Sequence, residues 1–185
     1  VEVNILLNKY IKSPFDSIKK EALVKNGLHY SDASEDLRKD FLDIISKEHI
    51  YTYIAYKKLQ SNDRYEDTYI ELLHNLINDR LLTTEYEISD IVIEKNQSKV
   101  SVKNILNMLF QRTRYRNIPK FEDKSCILLS SVDFALGYFR NYVLATAKEE
   151  RKRLFFERIR GKYKVIKNLD NDKVFTRRRP FDGTL

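Results

Sequence analysis

The chain has 185 residues, the length of one domain with its own core, and its 42% hydrophobic and 33% charged residues exclude a disordered tail. No apolar run approaches the roughly 18 residues that a membrane-spanning helix needs, and the single cysteine excludes an internal disulfide and a multi-cysteine zinc site. The net charge of +7 favours a polyanionic partner, and the lack of a signal-peptide pattern predicts a cytoplasmic protein without a membrane partner.

Helices and strands are predicted in alternation along the first half of the chain. Apolar residues with helical spacing predict a short helix at residues 6–11 and a second from about residue 34, where Asp32 and Glu35 resemble a helix start. Residues 49–58, HIYTYIAYKK, alternate and are rich in aromatic and β-branched side chains, which predicts a strand. A long amphipathic helix is predicted at residues 65–82.

The second half continues this alternation. A strand is predicted at residues 86–96, a helix at 102–110, a short buried strand at 126–130 (CILLS), and helical structure from Ser131 to about Arg160. Such an order is typical of an α/β fold with helices packed on a sheet. We expect one α/β domain over residues 1–162 and a basic hairpin or tail over residues 163–185.

Two acids form the only candidate catalytic constellation. Glu94 lies at the carboxyl end of the strand in which Ile91 and Ile93 share one face, and ligands of open α/β sheets gather at such ends. Asp133 follows the CILLS strand, and the two carboxylates converge if the two strands are neighbours. Paired carboxylates suit Mg²⁺ or Mn²⁺, which activates water for phosphodiester cleavage.

Structural roles also account for both acids. Asp133 is favoured in the first turn of a helix with Ser130 or Ser131 as its cap, and Glu94 fits a solvent-facing acid paired with a nearby lysine.

The helix that carries Asp133 has a predicted buried stripe made of five apolar residues, Val132, Ala135, Leu136, Phe139 and Val143. Asp133, Gly137 and Arg140 are left on an adjacent face. Because glycine inside a helix costs about 1 kcal/mol relative to alanine, Gly137 predicts that another group passes close to that face.

Phosphate contacts are predicted mainly near the C-terminus. The basic excess lies from Lys148 onward, and the run Arg177-Arg178-Arg179 meets no acid before Asp182, which is typical of a phosphate-binding segment. Lys99 and Arg140 are further candidate phosphate ligands. The basic residues before Arg160 alternate with glutamates, so internal ion pairs on a solvated helix explain them equally well.

Several segments together resemble the domain-of-unknown-function family numbered 3800. They are GLHYSDASEDLRKDFLDIISKEHIYTYIAYKK, the helix at 65–82, the strand DIVIEKNQSK, and LLSSVDFALGYFR, within residues 5–145. The resemblance implies a ribonuclease H-like mixed sheet flanked by helices. It also implies that Asp133, in the closing motif with Gly137, and Glu94, at a strand end, hold the metal.

The sequence departs from that family at its start. The family opens with a strand carrying Asp-Glu-Ser-Gly, whose Asp is the first metal ligand, and this motif does not occur here. Either the N-terminal strands lie upstream of Val1 or in a second chain of a larger assembly, or the site is degenerate. The first alternative predicts a metal-dependent nuclease, with a role in prokaryotic or phage defence, and the second a non-catalytic nucleic-acid-binding or protein-interaction subunit.

Overall fold

A computed structural model describes residues 27–83, 90–95, 99–113, 115–123, 125–146 and 150–183. The helices and strands in these ranges are α1 (Glu35–Lys47), β1 (Thr52–Tyr56), α2 (Tyr65–Thr83), β2 (Val92–Glu94), α3 (Val102–Arg112), β3 (Lys120–Glu122), α4 (Ile127–Leu144), α5 (Glu150–Ile159), a 3₁₀ turn (Arg160–Lys162), β4 (Tyr163–Asn168) and β5 (Lys173–Thr176). The protein is therefore a mixed α/β protein. The predicted helix at 6–11 and the start of the predicted strand at 86 lie outside the described residues.

The chain forms two compact units. Unit 1 contains residues 1–52, 122–164 and 182–185, and unit 2 contains residues 53–121 and 165–181. The division falls within β1 and β4, and each unit collects segments that are distant in sequence. No helix within the described ranges is long and apolar enough to cross a membrane.

Unit 1 is built from the helices α1, α4 and α5. The helix α1 begins where the sequence indicates, although its cap is Ser34, whose hydroxyl accepts the Leu37 N–H at 3.2 Å. Its buried face meets α4 through Phe41 and Phe134, whose rings stack with centroids 4.0 Å apart. Burial of these aromatic side chains stabilises this unit.

Unit 2 combines the helices α2 and α3 with most of a three-stranded sheet of order β1-β4-β5 and with the small β2-β3 sheet. Its core contains Ile77 from α2, Ile93 from β2, and Met108 and Leu109 from α3. The helix α3 receives an N-terminal cap from α2, because the carboxylate of Glu66 accepts the Ser101 N–H at 2.8 Å.

The C-terminal segment forms an antiparallel hairpin of β4 and β5. Ile166 is paired with Phe175 and Asn168 with Lys173, and Asp172 in the connecting turn has a positive φ of 54°. Aspartate tolerates this left-handed conformation better than most residues. The ribonuclease H-like topology of the sheet stays a prediction.

Candidate functional site

The residues CILLS do not form a strand, so the predicted position of Asp133 was wrong. The helix α4 begins at Ile127, directly after Cys126, and Asp133 is therefore near its middle. The residues Ser130 and Ser131 lie inside the helix and do not cap it. A short apolar run does not by itself distinguish a buried strand from the first turn of a helix, and here the helical pattern extends back through the run.

Asp133 binds a loop that precedes α1. Its Oδ2 atom accepts the backbone N–H of Tyr30 at 2.7 Å and lies 3.4 Å from Nδ1 of His29. The carboxylate side chain is 44% exposed, so one side of it faces solvent. The acid thus satisfies a backbone donor 103 residues away in sequence.

Gly137 provides the space for the ring of Tyr30. A Cβ atom at position 137 would lie 2.1 Å from Cγ of Tyr30, closer than any van der Waals contact allows. One turn further along α4, Nδ2 of Asn141 donates to the Tyr30 hydroxyl at 2.7 Å. The predicted close approach at Gly137 is confirmed, and it is made by a tyrosine of the same chain.

Arg38, which lies in α1, contacts the same tyrosine. Its Nε and Nη2 atoms donate to the Tyr30 carbonyl at 3.1 and 2.9 Å, and the guanidinium lies 4.5 Å from the ring centroid. Burial raises the pKa of Tyr30, and the Arg38 charge and the Asn141 hydrogen bond partly offset this rise. We call Tyr30, Arg38, Asp133, Gly137 and Asn141 the Tyr30 cluster.

Glu94 ends β2 in unit 2 and is exposed. Ile93 is buried in the core of the unit and Ile91 is partly buried against it, in agreement with their predicted shared face. The charge of Glu94 adds to the effect of burial in raising the pKa of Tyr69, which places the carboxylate near that phenol. Lys99 is exposed, and its Nζ lies 5.1 Å from the ring centroid of Tyr65.

The predicted metal pair is divided between the two units. Asp133 belongs to unit 1 and Glu94 to unit 2. Among the described residues, no group of three or more His, Cys, Asp or Glu side chains is arranged to hold a metal ion. Binding of Mg²⁺ or Mn²⁺ by Asp133 and Glu94 therefore stays a prediction.

Most basic residues of α5 and the 3₁₀ turn are engaged inside unit 1. Arg151 pairs with Glu35 at 3.3 Å, Arg158 contacts Asp43 of α1, and Arg153 donates to the Ala145 carbonyl at 2.9 Å. Arg160 pairs with Glu157 at 3.1 Å. These contacts support the prediction of internal ion pairs, although several of them join α5 to other segments.

The arginine turn, residues Arg177, Arg178 and Arg179, follows β5 in unit 2. The Thr176 N–H donates to the Arg179 carbonyl at 2.8 Å and the Arg179 N–H donates back to the Thr176 carbonyl at 3.1 Å. This closes a tight loop in which Arg177 and Arg178 occupy the tip. All three side chains are exposed, and none forms an ion pair with a residue in the described ranges.

Two buried phenylalanines fix the base of the arginine turn. Phe175 and Phe181 meet edge to face, with ring centroids 5.0 Å apart, and both are at least 95% buried. The turn is therefore anchored on both sides by a buried aromatic side chain. Preorganised donors lose less conformational entropy when they bind a ligand.

A polar groove between α2 and α3 was not predicted from sequence. Its volume is about 450 Å³, and it is lined by acids, amides, His74 and Arg112 around Ile70 and Met108. His74 already contacts Asn78 at 2.8 Å and the Arg112 carbonyl at 3.3 Å. The sequence pattern of each helix shows only that these residues are polar and lie on its surface. It does not show that the two helices lie side by side, so the groove was not predicted.

The comparisons with known proteins give no relative. No protein-family model matches the chain, no curated protein is significantly similar to it, and no solved structure matches its fold.

Proposed function

We propose that this protein binds nucleic acid without cleaving it, through the arginine turn of unit 2. The observation that carries the proposal is the set of three exposed guanidinium groups on a tight, anchored loop, with no ion pair to any described residue. Arginine presents a planar set of donors that matches phosphate oxygens in two-point contacts. Phosphate neutralisation with counterion release supplies most of the affinity of such an interface.

The net charge of +7 supports the same conclusion, because it steers a polyanion towards the protein. The contrast with α5 strengthens it, since arginines already paired with carboxylates must break those contacts before they bind phosphate. The arginine turn, which has no ion pair with a described residue, incurs no such cost. Lys99, exposed beside the Tyr65 ring in the same unit, is a second candidate contact.

The test is fluorescence anisotropy with labelled single- and double-stranded DNA and RNA, across a salt series. Replacing Arg177, Arg178 and Arg179 with alanine should weaken binding by about tenfold or more and reduce the slope of log K against log salt by about 2 to 3. The matched control replaces three exposed lysines with alanine and lowers the net charge from +7 to +4, as the triple arginine variant does. These lysines are Lys47, Lys58 and Lys103.

An equal loss of affinity in both variants would show that binding depends on net charge alone. It would overturn the proposal that the arginine turn is the nucleic-acid-binding site. Undetectable binding by the parent protein at low salt would remove the proposal altogether.

The alternative function is that of a metal-dependent nuclease, and the same oligonucleotides test it. Incubation with Mg²⁺ or Mn²⁺ should leave the substrates intact if the protein only binds. Cleavage by the parent that is lost in Asp133→Asn and in Glu94→Gln would instead support the nuclease. Asparagine at 133 retains an oxygen acceptor for the Tyr30 N–H, so this variant separates chemistry from folding.

A further inference from the structure

The outer face of α4 in unit 1 is apolar and exposed. Leu128, Val132, Leu136 and Leu144 are 63, 55, 45 and 59% exposed, although Val132 and Leu136 were predicted to be buried. The buried face is formed instead by Phe134, Ala135, Tyr138 and Phe139. The helix is apolar on both sides, with Asp133 and Arg140 as its only charged residues.

A helix that is apolar all round is normally buried all round, and contiguous exposed apolar patches mark interaction sites. At about 100° per residue, four apolar side chains fall within about 60° of one another on the outer face. They are Leu129, Val132, Leu136 and Val143, of which Leu129 and Val143 are half-buried. Leu129 and Val143 stand seven residues before and after Leu136, so these three side chains are symmetric about that leucine, while the position that mirrors Val132 is occupied by Arg140.

We propose that this face binds α4 of a second copy of the chain, as an antiparallel helix pair whose two-fold axis passes beside Leu136. A two-fold interface must be complementary to itself, and the three side chains that are symmetric about Leu136 meet that condition. In the pair, Leu136 meets its own copy, and Leu129 packs against Val143 of the second copy. A seven-residue spacing is that of helices that pack along their length.

The two charges on α4 have the complementary placement that this pair requires. Arg140 is exposed and has no ion pair with a described residue, while Oδ1 of Asp133 accepts no hydrogen bond from the described part of the chain. Asp133 and Arg140 project on the same side of Leu136, about 60° and 40° from it. Along the axis of α4, Asp133 lies about 4.5 Å before Leu136 and Arg140 lies about 6 Å after it.

Antiparallel pairing therefore places Arg140 of each copy beside Asp133 of the other, twice in one dimer. A helix of 18 residues covers less than the roughly 800 Å² per partner of a standard interface, so the dimer should be reversible and dependent on concentration.

Sedimentation velocity over a concentration series tests the proposal. The parent chain should shift from monomer to dimer, and Leu136→Lys should remain monomeric at every concentration. The control is Leu154→Lys, which replaces a leucine on α5 that is 57% exposed and should dimerise like the parent. Circular dichroism of each variant confirms that it is folded. A parent that is monomeric throughout, or a Leu136→Lys variant that still dimerises, overturns the proposal.

Cross-linking tests the geometry. In a Cys126→Ser background, Leu136→Cys should form a disulfide-linked dimer on oxidation, because two cysteines beside a two-fold axis meet the short Cα separation that a disulfide requires. Leu154→Cys in the same background should not. Efficient linkage by Leu154→Cys with none by Leu136→Cys would assign the contact to another face. Arg140→Glu should weaken dimerisation by about threefold or more through repulsion from Asp133 of the second copy.

Discussion

The sequence marks Asp133 of the Tyr30 cluster and the three arginines of the arginine turn for function, yet the polar groups of these two regions are used differently. In the Tyr30 cluster, Asp133, Arg38 and Asn141 are hydrogen-bonded to one tyrosine of the same chain. In the arginine turn, three charges lie on a loop closed by two backbone hydrogen bonds and face solvent. The comparison teaches that a conspicuous residue indicates a binding site when its polar atoms lack partners within the fold.

The largest expected effect is on the stability of unit 1. Gly137→Ala places a methyl group 2.1 Å from Cγ of Tyr30, and the ring must leave its position. We expect a loss of about 3 kcal/mol in the free energy of unfolding, larger than the helix-propensity gain of about 1 kcal/mol. Chemical denaturation measures it. Gly161→Ala is the control, since a Cβ there meets no atom within 4 Å. Equal stabilities of the two variants would contradict a packed Tyr30 cluster.

Alkaline pH should destabilise the same unit. Burial raises the folded-state pKa of both Tyr138 and Tyr163 far above the ordinary value of 10.0, and their hydroxyls donate to the carbonyls of Arg38 and Ala135. Above pH 10 the unfolded chain loses these protons while the folded chain keeps them. Stability is therefore fully present below pH 10 and falls by up to about 1.4 kcal/mol per tyrosine for each further pH unit.

Denaturation midpoints from pH 8 to 11 would show this decline. Tyr138→Phe and Tyr163→Phe should each flatten it, whereas Tyr51→Phe, at a side chain that is 50% exposed, should leave it unchanged.

A smaller effect is expected when the carboxylate of Asp133 is removed. Asp133→Ala leaves the part-buried Tyr30 N–H without its acceptor and should cost about 1 to 2 kcal/mol of stability. Asp133→Asn should cost less, because the amide oxygen still accepts that bond. Thermal or urea denaturation distinguishes the two variants. Identical stabilities of Asp133→Ala and the parent would show that the acid has no role in the fold.

The smallest effect on stability belongs to the arginine turn. Replacing Arg177, Arg178 and Arg179 with alanine removes exposed side chains without ion pairs to the described residues, so the free energy of unfolding should change by less than about 0.5 kcal/mol. The same variant should lose nucleic-acid affinity. A triple variant that is strongly destabilised would make the turn a structural element and weaken the contrast with the Tyr30 cluster.

Local patterns predicted much of the secondary structure. The apolar periodicity of the sequence predicted the positions of α1, α2 and α3, since periodicity reflects which side of an element is buried. The run of β-branched and aromatic residues predicted the position of β1. The glycine at position 137 also predicted a close neighbour. The CILLS segment failed because an apolar run of five residues fits a strand or a helix equally well, and only its continuation into α4 distinguishes them.

The sequence by itself determined the α/β composition, the basic charge and the exposed character of the Arg177–Arg179 run, because these follow from residue type and local spacing. Tertiary structure alone decided that Asp133 binds Tyr30 across 103 residues and that Val132 and Leu136 face outward. It also decided that Arg151 and Arg158 form ion pairs while the arginines of the turn form none with a described residue. These outcomes depend on which distant segments meet, and a one-dimensional pattern carries no information about the partner of a side chain.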